Sequence, residues 1–185
     1  TESKDGIYES LLDQDFLAIG KSYKLLVFTP DGNEYQSDYD SLLVCAPIDK
    51  LSYQIEKEGT SNPDINYYGV RFLVDVSGGL NDARNYLWTF EETWEYAATY
   101  FTQYIWDGDT LIEFVPYDLT ASICYFTLPI KDLYVGTSRL YETNEISKHP
   151  IHYVSNQTPR LLRRYSLLVS QHSLSDRAFL YWDAC

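Results

Sequence analysis

Two histidines in the segment "HPIH", residues 149–152, are the residues best suited to metal chemistry. Imidazole is the commonest metal ligand in proteins, and a helix would place an H-x-x-H pair on one face. Pro150 excludes a regular helix, and a strand would direct His149 and His152 to opposite faces. We therefore expect both to be structural residues. His172 is expected on the surface or in a loop.

Acidic residues suggest two further kinds of chemistry. A glycosidase needs two carboxylates about 5–10 Å apart across a cleft. Glu91, Glu92 and Glu95 supply carboxylates, but they cluster locally and no pattern indicates a cleft. The loops "WDGD" (106–109) and "SNPDIN" (61–66) carry oxygen ligands suited to calcium, but neither has the EF-hand pattern, and turn formation explains both. We expect no enzymatic activity, no bound metal and no cofactor.

The three cysteines, Cys45, Cys124 and Cys185, do not form a metal-binding pattern. There is no C-x-x-C pair, and no histidine lies at zinc-like spacing from any of them. If the chain is exported, one pair could form a disulfide, while Cys185 could bond to a partner beyond the chain. The sequence leaves the pairing open.

Aromatic residues make up 16% of the chain and include four tryptophans. Strand alternation places Trp88 in a core, and helical spacing does the same for Trp182. Trp94 and Trp106 lie where the pattern is irregular, with Tyr104 close by. These three are the candidates for contact with a ligand or partner, either as platforms for sugar rings or as an exposed interface.

The charge balance excludes some partners. Fourteen basic residues against 27 acidic ones give a formal net charge of −13, which repels phosphate backbones and anionic lipid headgroups. We therefore expect no nucleic acid partner. The one basic cluster, Arg160, Arg163 and Arg164, is predicted to be a solvated strand face. No apolar run approaches the roughly 20 residues that span a bilayer as a helix.

Period-two alternation predicts the strands that must position these residues. Apolar side chains fall at even positions from residue 68 to 76, and again at Tyr86, Trp88 and Phe90 after a Gly-rich loop. We expect these two strands to form an antiparallel pair within a sandwich. Residues 92–106, which fit a helix by spacing and a strand by composition, are expected to be irregular or a short helix.

Turn residues indicate a hairpin and a boundary earlier in the chain. Pro30, Asp31 and Gly32 separate two strand-like runs, 22–29 and 33–37, and predict a hairpin because Pro presets φ and Gly accepts a positive φ. A corner at residues 46–49 precedes another alternating run and is a candidate boundary between two β units.

The C-terminal segment "RRYSLLVSQHSLSDRAFLYW", residues 163–182, changes from strand alternation to helical spacing. Apolar residues at both parities predict a central strand covered on both faces. Ser173 and Asp176 match an S-x-x-D capping box, which predicts a helix from about residue 174 to the end. Phe179, Tyr181 and Trp182 are expected to cover a face or edge of the sandwich, with one aromatic turned toward a partner.

Several motifs, taken in order, resemble a family of Bacteroidota cell-envelope lipoproteins catalogued as domain of unknown function 4249. The resemblance covers about residues 6–183 and is carried by "GKSYKLLVFTPDGNEYQSD", "APIDKLSY", "NYLWTFEETWEY" and the run from "ICYFTLPIKDLYVGTSRL" through "HPIHYV" to the C-terminal segment. It marks a set of structural signature positions: Cys124, Tyr165, Gln171, Ser173 and Trp182. None of them is a catalytic signature.

The resemblance implies a fold and a domain division. The expected fold is all-β, an immunoglobulin- or fibronectin type III-like sandwich with a short C-terminal α-helix. Residues 1–45 would be the final strands of a leading immunoglobulin-like or carboxypeptidase-regulatory-like β domain, and residues 46–185 the fibronectin-like sandwich with its helix. The resemblance implies that the natural protein extends beyond both ends, and the absence of methionine indicates that its start is missing or has been processed. Cys45 matches no lipobox.

The resemblance also implies a place and a role. Such a protein would be lipid-anchored at the outer membrane, on its cell-surface or periplasmic face, through an anchor outside this chain. It would serve as a non-enzymatic accessory or structural subunit beside a TonB-dependent transporter or another outer-membrane β-barrel complex. The alternative is a surface lipoprotein that captures glycan or peptide.

Overall fold

The computed structural model describes residues 2–4, 7–13, 15–58, 67–80, 83–97, 104–113 and 123–185. The strands are β1 (Glu2–Lys4), β2 (Ile7–Tyr8), β3 (Ser22–Tyr23), β4 (Leu26–Phe28), β5 (Glu34–Gln36), β6 (Asp40–Ser41), β7 (Ile48–Glu58), β8 (Tyr67–Ser77), β9 (Asn85–Ala97), β10 (Tyr104–Trp106), β11 (Leu111–Glu113), β12 (Ile123–Thr137), β13 (Glu145–Ser155) and β14 (Tyr165–Leu174). A 3-10 turn occupies Pro159–Leu161, and the helix α1 spans Asp176–Asp183. Within these ranges, no helix is long and apolar enough to cross a membrane.

Six long strands form two three-stranded antiparallel sheets, in the orders β13-β8-β7 and β12-β9-β14. The short strands pair as β1-β2, β3-β6, β4-β5 and β10-β11. The predicted all-β fold with a short C-terminal helix is confirmed. Its assignment to the immunoglobulin or fibronectin type, and the domain boundary at residues 45/46, stay predictions.

The main core lies between the central strands of the two sheets. Tyr86, Trp88 and Phe90 of β9 are buried against a cluster that includes Val74 and Val76 of β8. The predicted apolar face of β9 is therefore confirmed, and on β8 Val74 and Val76 are buried as predicted, whereas Tyr68 is 44% exposed. Burial of whole aromatic and branched side chains is worth about 1.5–3 kcal/mol each, which makes this contact the main apolar contribution to stability.

β8 and β9 nevertheless belong to different sheets, so the expected antiparallel pair was wrong. Each strand has one apolar face, and the two faces meet across the core instead of lying side by side. Stacked sheets are about 10 Å apart, a gap that the connection at residues 78–84 is long enough to cross. Alternation shows which face of a strand is buried, but it carries no information about the strand's neighbour.

β9 continues without a break through residues 92–97, where irregular structure or a short helix was expected. It pairs with β12 on one side and β14 on the other, so that Trp94 lies opposite both Phe126 and Tyr165. Thr, Tyr and Trp favour strands, and two hydrogen-bonded ladders outweigh the helical spacing. Residues 98–103 lie outside the described residues.

Among the described residues β14 pairs only with β9 and lies at an edge of its sheet, so the prediction of a central strand was wrong. Tyr165, Leu167 and Val169 are half-buried on the face toward the core, while Leu168 on the opposite face is 61% exposed. The apolar residues at both parities therefore reflect an exposed leucine and not a second covered face.

The helix begins two residues later than predicted. Its N-cap is Ser175, whose Oγ accepts a hydrogen bond from the Ala178 N–H. Ser173 remains in β14 because the ladder with β9 continues to Leu174, and its Oγ donates to the Leu43 carbonyl.

Aromatic residues of α1 are not part of the main core. Phe179 and Trp182 are half-buried, Tyr181 is exposed, and none of the helix residues is fully buried. The core assignment of Trp182 was wrong because an eight-residue helix lying against the end of a sheet offers its aromatics only partial cover. Trp182 and Tyr181 pack edge to face, with ring centroids 5.0 Å apart.

The predicted hairpin before residue 40 is confirmed as β4 and β5. The Thr29 N–H donates to the Asn33 carbonyl at 3.0 Å, which closes the turn. Gly32 has a φ of +86°, the left-handed conformation that glycine adopts without strain.

A hydrogen-bonded chain links Trp88 to the segment before β7. The Trp88 indole N–H donates to Gln171 Oε1 at 2.7 Å, and Gln171 Nε2 donates to the Ala46 carbonyl at 2.7 Å. On the β12 side, a Cβ at Gly136 would lie 2.8 Å from two atoms of the Trp88 ring. The position of Trp88 therefore requires the Gln171 amide as hydrogen-bond acceptor and a residue without a side chain at position 136.

Replacing Gln171 with leucine should lower the free energy of unfolding by about 1–3 kcal/mol, because the buried Trp88 N–H loses its acceptor. Denaturant unfolding measures the change. Gln54→Leu, the same substitution at an exposed position of β7, should stay within about 0.5 kcal/mol of the parent. Equal effects of the two substitutions would contradict the role assigned to Gln171.

Candidate functional site

A cleft of about 430 Å³ lies where β9 ends, and we call it the Trp94 cleft. Its walls come from β9, β12 and the segment around the 3-10 turn. The lining residues are Trp94, Tyr96, Ala97, Phe126, Pro159, Leu162 and Arg163. The cleft is mainly apolar, with one guanidinium at its wall.

Strand register and the 3-10 turn build this cleft. Pairing of β9 with β12 sets Phe126 opposite Trp94, and their ring centroids are 5.0 Å apart. Pro159 opens the turn because its fixed φ suits the first position, and Leu162 follows the turn with most of its side chain exposed. Two aromatic rings and a leucine therefore face the cleft from opposite walls.

A buried ion pair holds the turn against β9. Glu92 is 6% exposed, and Arg160 Nη1 donates to both of its carboxylate oxygens, at 3.0 and 3.1 Å. The Tyr165 hydroxyl also donates to Glu92, at 3.0 Å. Burial and the adjacent Glu92 carboxylate raise the pKa of Tyr165, so that its hydroxyl keeps its proton and continues to donate.

Glu95, which is also buried, has its own cations. Arg163 Nη1 lies 3.4 Å from one oxygen and Arg164 Nε 3.8 Å from the other, while the Tyr125 hydroxyl donates at 3.4 Å. Arg163 and Arg164 are exposed, as predicted, but the prediction of a strand face was wrong, because the cluster lies in and after the 3-10 turn and its guanidiniums approach buried carboxylates. A buried carboxylate is costly unless paired, and these side chains supply the pairing for Glu95.

The two histidines of "HPIH" face the same way, contrary to the expectation for a strand. The β13–β8 register shifts between Pro150 and His152, and such a bulge resets the alternation of side chains. As a result, His149 packs on Trp88 at 5.1 Å and His152 on Phe90 at 5.9 Å, measured between ring centroids.

Burial lowers the pKa of both histidines below the ordinary value of 6.5. For His149, a hydrogen bond to the backbone of Val135 acts in the opposite direction. Neither ring nitrogen of His152 has a hydrogen-bond partner within the described residues, so its neutral form is the one that suits this site. Both rings fill space in the core as aromatic side chains.

Other acidic and sulfur groups have simpler roles. Across the ranges the structure covers, no group of three or more His, Cys, Asp or Glu residues is arranged to hold a metal ion. In "WDGD", Asp107 accepts hydrogen bonds from the N–H groups of Asp109 and Thr110, which lower its pKa and close the β10–β11 turn. The loop "SNPDIN" lies outside the described residues.

Cys45, Cys124 and Cys185 are free thiols.

The three aromatic candidates from the sequence occupy two places. Trp94 lines the cleft, whereas Tyr104 and Trp106 are exposed on β10, in the hairpin with β11. Sequence reasoning missed Phe126 and Arg163, which reach the cleft only through strand register and an ion pair. Pro159 favours the first position of a helical turn, so the sequence could have predicted the turn that forms this wall of the cleft.

The signature residues of the C-terminal region mostly hold elements together. Gln171 joins Trp88 to Ala46, Ser173 bonds to Leu43, and Tyr165 bonds to Glu92. Cys124 is half-buried on β12 opposite Tyr96, and Trp182 packs with Tyr181 on α1.

These features define an all-β protein of antiparallel sheets with a short terminal helix and, among the described residues, an aromatic cleft where β9 ends. The model of the family described as a domain of unknown function (DUF4249) matches residues 1–185, and the chain belongs to that family. Neither the curated proteins nor the solved structures contain a significant match.

Replacing Arg160 with methionine should lower the free energy of unfolding by roughly 3 kcal/mol, because Glu92 stays buried without its cation. The double variant with Glu92→Gln should lose less than the sum of the single variants. Arg177→Met, which removes the exposed Asp38–Arg177 pair, should cost less than about 1 kcal/mol. Additive effects in denaturant unfolding would contradict a direct Glu92–Arg160 interaction.

The lowered pKa of His152 predicts a pH dependence of stability. Below about pH 6.5 the unfolded chain takes up a proton that the folded histidine resists, so the free energy of unfolding falls as pH falls. His152→Phe, which keeps a ring in the core, should flatten this dependence by up to about 1.4 kcal/mol per pH unit. Unfolding curves between pH 5 and 7.5 measure it, and parallel curves for parent and variant would exclude the effect.

Proposed function

We propose that this protein is a non-enzymatic accessory or structural subunit of an outer-membrane β-barrel complex, with a TonB-dependent transporter as its partner. The Trp94 cleft is the proposed contact site. The observation that carries this proposal is an open apolar cleft whose walls are held by buried ion pairs. Such a cleft can receive a side chain of a partner without rearranging.

Interface energetics support a protein as the occupant. Binding energy concentrates in a few aromatic and arginine residues that surround a well-packed pocket. Trp94, Phe126 and Arg163 supply those residue types around one cleft. The walls of the cleft are strands and a turn that the Glu92–Arg160 ion pair holds in place, so little conformational entropy is lost on binding.

Membrane placement rests on the family resemblance. It supports a lipid anchor outside this chain, an outer-membrane location on the cell-surface or periplasmic face, and a neighbouring β-barrel protein. The net charge of −13 is consistent with a protein partner and unfavourable for nucleic acid.

Capture of glycan or peptide is the second candidate, and the adjacent, tilted rings of Trp94 and Phe126 favour it. Aromatic rings can hold a sugar face or an apolar peptide side chain. A ligand site also needs placed polar groups for orientation. Because the lining is mainly apolar, we place the protein partner first.

Capture of the tagged full-length protein from detergent-solubilised native membranes should return an outer-membrane β-barrel transporter in stoichiometric amount. Trp94→Ala and Phe126→Ala should each reduce the recovered transporter by tenfold or more, a loss of about 1.4 kcal/mol or greater. Trp106→Ala, the same change on the β10–β11 hairpin, should leave recovery unchanged.

Recovery of the protein without any β-barrel protein from native membranes would contradict the subunit role. Loss of the transporter in Trp106→Ala but not in the cleft variants would contradict the assigned site. Binding to a glycan array that Trp94→Ala abolishes, with no transporter recovered, would replace the proposal with the ligand-capture function.

A further inference from the structure

Among the described residues, nothing pairs with either edge strand along one side of the two sheets, between β7 and residues 165–170 of β14. A second cleft of about 160 Å³ lies there, and we call it the lateral opening. Its lining residues are Leu51, Ser52, Tyr53, Phe72, Leu167 and Val169. None of these residues lines the Trp94 cleft.

Apolar side chains of β7 stand exposed in this region. Leu51 lies opposite Val74 in the β7–β8 register, and Tyr53 and Ile55 follow on the same face. Val74 is fully buried, yet Leu51 is 48% exposed, Tyr53 67% and Ile55 71%. On this face of the sheet, side chains of β8 are buried in the core, whereas those of the neighbouring strand β7 are exposed to solvent.

The facing edge, β14, lacks the features that normally prevent edge strands from pairing. Natural edges are protected by charged residues, proline, bulges or short length. β14 has ten residues, "YSLLVSQHSL", with no charge and no proline, and its ladder with β9 has no register shift. Within the described residues it pairs with β9 alone.

The chain itself covers one end of this edge. Cys45 donates from its thiol to the Gln171 backbone carbonyl at 3.5 Å, and Ser173 donates to the Leu43 carbonyl at 3.1 Å. Residues 43–46 thus lie against the last part of β14. Residues 165–170 continue the same edge beside the lateral opening.

We propose that residues 165–170 of β14 accept an extended segment of a partner protein as an added antiparallel or parallel strand. Backbone groups would pair with β14, and every second side chain would enter the lateral opening against Tyr53, Leu167 and Val169. When a strand is added to a sheet edge, main-chain hydrogen bonds provide affinity and pockets for every second side chain provide specificity. The added strand would continue the cover that residues 43–46 begin.

Charge favours a partner protein over a second copy of this chain. Two copies would bring together formal charges of −13 each, which repel. Because the edge itself is neutral and the molecule acidic, the best occupant alternates apolar residues with basic or neutral ones. The proposal concerns a surface separate from the Trp94 cleft and does not require that the transporter be the partner.

The test uses the full chain and an end-capped ten-residue peptide that alternates valine and lysine. Hydrogen exchange should show slower exchange of backbone amides within residues 165–170 when this peptide is added. A control peptide with five valines followed by five lysines has the same composition and charge, but as a strand it divides its valines between both faces. Equal protection by both peptides, or none by either, would overturn the proposal.

Substitutions locate the site. Tyr53→Ser and Leu167→Ser should each weaken binding of the alternating peptide about tenfold. Leu168→Ser, one residue along on the opposite face of β14, should leave binding unchanged. Tyr53 is mostly exposed, so its variant tests the site even if Leu167→Ser unfolds the protein.

Two further measurements separate this inference from other accounts. The Trp94→Ala variant should bind the alternating peptide as the parent does, so failure of the transporter experiment would leave this result intact. Sedimentation of the protein without peptide should show a monomer. A dimer that is abolished by substitution of β14 would show that a second copy occupies the edge and would overturn the proposed partner.

Discussion

The indole of Trp88 is fully buried, and its N–H group must find an acceptor inside the sandwich. The Gln171 side chain provides it and passes a second hydrogen bond to the Ala46 carbonyl. One side chain therefore couples the middle of β9 to the edge strand β14 and to the segment that precedes β7. The same ring excludes any Cβ at Gly136 and packs on His149, so β12 and β13 must fit around it as well.

Farther along β9, Glu92 lies on the same face as Tyr86, Trp88 and Phe90, but its side chain is a carboxylate and not an aromatic ring. A carboxylate in that position is stable only with a cation, and Arg160 reaches it from the 3-10 turn. The apolar wall of the candidate site therefore depends on the buried ion pairs beside it. Burial of Glu92 and Glu95 fixes the segment that contains Leu162 and Arg163, and that segment forms a wall of the Trp94 cleft.

In the part of the chain that the structure describes, two apolar surfaces are accessible on a strongly acidic molecule, the Trp94 cleft and the lateral opening. Their chemistry differs, since the cleft suits a single inserted side chain and the edge suits an extended backbone. The proposed contacts with other chains rest on these two surfaces.

The sequence by itself determined the all-β fold, the buried faces of β8 and β9 and the β4–β5 hairpin, because period two and turn residues act over a few neighbouring positions. It did not determine that β8 and β9 lie in different sheets, that a bulge turns His149 and His152 to one side, or that β14 is an edge. Nor did it show that Arg160 and Arg163 neutralise buried glutamates about 70 positions earlier in the chain. Strand partners, register shifts and charge pairing are set by contacts between distant segments, and only the folded structure brings those segments together.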